Sequence, residues 1–96
     1  MATPSAHIAL GTVKGGFPIL DTKFTSIDLV PGDVYTITNS NFNYMVMSSQ
    51  TNLWVAFTFD GSTPNPEVNP RFYITADTLC PFFVSQGTKI VVAEVV

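Results

Sequence analysis

A single histidine, His7, and a single cysteine, Cys80, bound the nucleophilic chemistry open to this chain. Acyl transfer needs a hydroxyl or thiol held against a base, and that base is most often an imidazole. His7 would have to serve every such scheme, and it lies near the N-terminal end in a segment read as an arm. Cys80 stands among Leu79, Pro81, Phe82 and Phe83 and reads as a small core residue rather than an exposed thiolate. Zinc would need carboxylates to complete its shell. Asp60, Asn65 and Glu67 share one loop and could supply oxygens to calcium, but Asp and Asn in a loop read first as turn formers. Paired carboxylates of the glycosidase kind are not excluded among seven acids, yet a chain this short has little room for both a cleft and a core. Gly15-Gly16 lacks phosphate-loop spacing. The expectation is a protein that is not an enzyme and holds no cofactor or metal.

The charge balance narrows the partners. Lys14, Lys23, Arg71 and Lys89 are the four bases, scattered against seven acids, so nothing tracks a phosphate backbone and no nucleic acid is expected. No apolar run approaches the ~20 residues that span a bilayer, and Met1 to His7 has neither the basic nor the apolar region of a secretory leader. One cysteine allows no intrachain disulfide, which suits assembly in a reducing cytoplasm. Only 11% of the residues are charged while 46% are hydrophobic. An ordinary soluble domain has about 25% charged residues. Such a surface is expected where other subunits cover much of it.

Any site must be carried by strands, because the apolar spacing has a period of two. Val34, Thr36 and Thr38 alternate with Tyr35 and Ile37, and Leu53, Val55, Phe57 and Phe59 share one face. Strands are predicted at about 7–13, 24–29, 34–38, 43–48, 53–59, 71–75, 79–84 and 88–95. Pro31-Gly32 carries the residues of a type II turn. Asp60 opens a longer loop that runs through Pro70. Pro81 inside a strand-like run marks an edge or a bulge. Short strands separated by turn signals give an all-β fold, read as an antiparallel β-sandwich of jelly-roll-like form. Residues 1–23, with two prolines and three glycines, read as an extended N-terminal arm, and residues 24–96 as the β-sandwich domain.

Several runs are apolar on both faces, whereas a two-layer sandwich has one inward face per sheet. If Leu53, Val55, Phe57 and Phe59 face in, Trp54 and Ala56 face out; Phe83, Val91 and Ala93 pose the same problem. With Phe17 of the arm, these six form the candidate protein interface. An outward Trp54 is either a contact for a partner or, if the chain covers both faces of its strand, a second core residue. The surplus predicts a symmetric homo-oligomer.

From Val30 onward the chain resembles small structural proteins of tailed bacteriophages. The residues concerned are Val30-Pro31-Gly32-Asp33, the run from Leu53 to Pro64 ending in Gly61-Ser62-Thr63-Pro64, Ile74 to Leu79, and Gly87-Thr88-Lys89-Ile90-Val91-Val92. The resemblance implies a virion protein assembled in the host cytoplasm, of the capsid cement or decoration kind. It further implies a homotrimer bound to a major capsid protein. The rival expectation is a carbohydrate- or receptor-binding module of a tail or fibre, stacking sugars on Trp54, Tyr44 and Tyr73, or another head–tail accessory protein. A cupin-like enzyme is weaker still, since such sites use several histidines.

Overall fold

The computed structural model describes residues 5–14, 17–19, 25–38 and 42–95. They form nine strands and no helix: β1 (Ala6–Lys14), β2 (Phe17–Ile19), β3 (Thr25–Leu29), β4 (Tyr35–Thr36), β5 (Tyr44–Ser49), β6 (Leu53–Thr58), β7 (Phe72–Ile74), β8 (Cys80–Phe83) and β9 (Lys89–Glu94). Every pairing is antiparallel. One sheet runs β2-β1-β5-β8, with β3 also pairing β1; the other runs β4-β9-β6-β7.

Alternation decides which side chains meet. In β5, Met45 and Met47 point inward and Tyr44, Val46 and Ser48 outward. Ala6, Ile8 and Leu10 of β1 and Leu29 of β3 join them from the first sheet. Leu53 and Val55 of β6, Ile74 of β7, and Ile90 and Val92 of β9 meet them from the second. The two sheets thus face one another across a single core.

The turns take the geometry their residues favour. Gly32 sits at φ 93° and the Asp33 amide donates to the Val30 carbonyl at 3.1 Å, as a Pro-Gly type II turn requires. Gly87 sits at φ 92° in the turn that returns the chain into β9. Thr88 is buried there, and its hydroxyl accepts the Ser85 amide at 3.4 Å.

The reading of residues 1–23 as an arm is corrected for 6–14. β1 lies inside the first sheet, between β3 and β5. Ala6 and Ile8 are fully buried and Leu10 nearly so. Each large one contributes about 1.5–3 kcal/mol by leaving water, too much for a detachable segment. Residues 1–4, 15–16 and 20–23 of that arm lie outside the described residues. The hairpin β1–β2 pairs Lys14 with Phe17 and adds a strand that the sequence pattern had not signalled.

Removing residues 1–14 is therefore expected to abolish cooperative unfolding. A thermal melt followed by circular dichroism checks it; a truncated chain that still melts cooperatively would show β1 to be dispensable.

Candidate functional site

Two concave regions and one covered face hold the residues of interest. The first region is an open cleft of about 520 Å³ at one end of the first sheet. Register builds it: His7 of β1 stands opposite Asp28 of β3 on one side and opposite Ser48 of β5 on the other. All three point away from the core. His7 Nδ1 lies 3.0 Å from Asp28 Oδ1. Ser49, Thr51, Asp77 and Thr78 complete much of the lining. Ser49 Oγ donates to the Ser5 carbonyl at 2.9 Å and accepts the Thr51 amide at 3.1 Å, and the Asp77 amide donates to the Ser49 carbonyl at 2.8 Å.

A carboxylate, an imidazole and a hydroxyl in a row suggest a nucleophilic triad, but the row lacks its working contact. Among the described residues no hydrogen bond joins Ser48 to His7. A triad passes the hydroxyl proton to the imidazole through that bond. The His7–Asp28 pair is mostly solvent-exposed, where an ion pair adds little. Cys80 cannot supply the nucleophile instead. It is half-buried and packs toward the core, on the opposite face of the sheet from His7. Among the described residues no three of His, Cys, Asp and Glu converge as a metal site would need. Asp60 and Asn65 act as turn formers: Asp60 Oδ1 accepts the Ser62 amide at 3.0 Å and the Ser62 hydroxyl at 2.5 Å, and Asn65 Oδ1 accepts the Glu67 amide at 3.0 Å.

The outer face of the second sheet was expected to need a partner, and that expectation is corrected. Ala56 and Val91 are paired across strands and only 3% and 5% exposed. The loop of residues 59–71 leaves the end of β6 and returns to this face at Trp54. It is tied down at its start by a hydrogen bond from the Thr58 hydroxyl to the Ser62 carbonyl. At its end the Arg71 guanidinium lies 3.6 Å from the centre of the Trp54 ring and donates to the Pro66 carbonyl at 3.3 Å. Pro64 and Pro66 are buried between these ties. Trp54 also takes the edge of Tyr73 at 5.0 Å. Trp54 and Ala93, paired across the strands, are half-buried. An Arg over an indole face is a favourable cation–π contact, and it occupies the face that a sugar would stack on. Trp54 is therefore an anchor for the loop.

The third region lies where β7 and β8 form neighbouring edges of the two sheets. Phe57, Phe72 and Phe82 pack ring against ring with centroids 5.1–5.9 Å apart. With Phe59, Phe83 and Val84 they surround a notch of about 140 Å³. Phe83 is 80% exposed, Phe59 71% and Phe72 54%. Phe83 meets the ring of Tyr44, its cross-strand partner, edge to face. Sequence reasoning placed Phe83 correctly on the wet side but put Phe59 in the core; β6 stops at Thr58, so Phe59 escapes the alternation. The side chain of Phe17 lies outside the described residues.

β8 is an edge strand, and Pro81 guards it. The Val84 amide donates to the Asn43 carbonyl at 3.1 Å, which makes that pair and the Phe82–Met45 pair the hydrogen-bonded ones. Pro81 therefore turns its nitrogen to the free side, where a partner strand would seek a donor.

No protein family matches the chain, and neither a curated protein nor a solved structure does.

Two measurements check the loop. Arg71→Met should leave the fold intact and make Trp54 more accessible to acrylamide quenching; unchanged quenching would mean that the ring is shielded by something other than the guanidinium. The hydrogen bonds from the Ser62 hydroxyl and amide hold the Asp60 carboxyl below its ordinary pKa, because they favour the ionised form. The turn is thus supported at neutral pH and loses that support as pH falls through the lowered value. Ser62→Ala should raise the Asp60 pKa in an NMR titration, with no change expected elsewhere.

Proposed function

We propose that this chain is a structural protein of a tailed-phage particle, a capsid cement or decoration protein that acts by protein–protein contact without catalysis. The phenylalanine mouth carries the reading. A chain with 11% charged residues leaves three phenylalanines wet beside a sheet edge, although it buries Ala56 and Val91 of another face. Apolar surface of that kind, rimmed by polar residues, marks a contact for another chain. Triad-type nucleophilic use of the polar cleft would need a hydroxyl bonded to His7, and that bond is missing among the described residues.

Strand order supports the finer fold. A jelly roll is an eight-strand antiparallel hairpin wrapped so that its first strand pairs its last and so inward to the middle pair. With β2 and β3 counted as one strand, this chain pairs first with second, third with eighth, fourth with seventh and fifth with sixth. That is the same wrapping moved along by one strand, and we read the two sheets as a jelly-roll sandwich. The stretches that resemble phage structural proteins fall on its framework: the Pro31-Gly32 turn, β6 with the Gly61–Pro64 loop, and β9. Cement proteins of this fold are often trimers seated on a major capsid protein; we assign a symmetric homo-oligomer and a capsid partner here, with the virion as the location. The rival sugar-binding reading loses its stacking platform to Arg71, while Tyr73 stays half-exposed and Tyr44 rests on Phe83.

Gradient sedimentation of intact heads and of separated tails, each mixed with the purified protein, tests the assignment. The protein is expected in the head fraction. Its absence from heads, or its presence with tails alone, would overturn the cement reading.

A further inference from the structure

We propose that the phenylalanine mouth between β7 and β8 is where one copy of this chain meets another, the Phe83 rings of the two copies packing against each other's notch. The proposal deepens the structural reading above, resting on it only for the expectation of self-association.

Area comes first. At roughly 200 Å² for a whole ring, Phe59, Phe72 and Phe83 together leave on the order of 400 Å² of aromatic surface wet. A stable interface takes about 800 Å² from each partner, a little over half of it apolar. One mouth thus offers close to the apolar share that a standard interface draws from one side, and a second copy offers the same again.

Charge comes next. The chain is formally −3, so most contacts between copies begin with repulsion. Phe57, Phe59, Phe72, Phe82, Phe83 and Val84 carry no charge, and this surface can face itself without like-charge contact. Shape agrees. The notch of about 140 Å³ has the volume of cavities that accept a benzene-sized group, and Phe83 is both a wall of the notch and its most exposed ring. Donor and acceptor lie at one place, as a self-complementary contact about a symmetry axis requires. Strand addition is the competing way to join edges, and Pro81 removes one of the donors it would use on β8.

Sedimentation velocity across a wide micromolar range tests this with the full-length protein and two serine variants. Phe83→Ser should weaken self-association at least tenfold while leaving the melting curve unchanged, because the side chain is 80% exposed. Leu79→Ser is the control: Leu79 is 74% exposed but lines the polar cleft instead of the notch, so association should be unaffected. A wild-type protein that stays monomeric overturns the proposal, whether or not it sediments with heads. Equal weakening by the two variants, or none by Phe83→Ser, also overturns it. Self-association lost only with Phe83→Ser supports it even if heads never retain the protein.

Discussion

The register of β5 governs both outward surfaces of the first sheet, because β5 is the strand that pairs with β1 on one side and with β8 on the other. Met45 and Met47 must face the core, since each is fully buried there. That choice turns Ser48 outward beside His7, and Tyr44 outward beside Phe83. Shifting the pairing by one residue would put Ser48 and Tyr44 into the core and expose both methionines. The polar row at one end and the aromatic mouth at the other are therefore consequences of a single packing decision. Neither could be moved without dismantling the core.

The second sheet answers the same apolar surplus differently. Its outer side chains Ala56 and Val91 are small or short, and they are buried within the chain, beside a loop that ends on Trp54. The loop needs a fastening at its far end, and Arg71 on Trp54 supplies it through a ring face rather than a carboxylate. Loops of this length without regular structure are uncommon in compact domains unless they do something. Here the loop buries Pro64 and Pro66 and sets Arg71 on Trp54. A partner chain is not required on that side, and the surface left for one moves to the Phe83 side.

Alternation made most strands legible: all eight predicted segments overlap strands of the structure. Pro31-Gly32 and the Pro81 edge were legible too, because φ preference and a missing donor act locally. The failures share a cause, which is distance along the chain. Gly11 counted among the glycines of the arm, but the space where its Cβ would stand is open, and it pairs with Tyr44 in mid-sheet. A glycine there is a strand residue without a side chain. The arm was misread because β1 earns its place through partners at 25–29 and 44–49, which composition does not display. The tie of Arg71 to Trp54 was invisible for the same reason: the two are far apart in sequence and meet only after β7 pairs with β6. His7 next to Asp28 was likewise a product of register.

Two edges meet at the aromatic mouth, and edges are where β proteins risk uncontrolled pairing. Backbone pairing is indifferent to sequence, so an open edge beside exposed phenylalanines would invite aggregation. Pro81 separates the two hazards. It withdraws a backbone donor from β8 while Phe82 stays packed against Phe57 and Phe72, so the rings remain available while the strand is a poorer template. Contact at this surface is then made by side chains, whose shapes and positions discriminate between partners. Phe83 can be wet in one copy because the fold does not lean on it, and the core beneath it closes around Phe82 instead. Stability and recognition are thereby assigned to alternate residues of one short strand. The same period of two that folds the domain separates the residue it buries from the residue it offers.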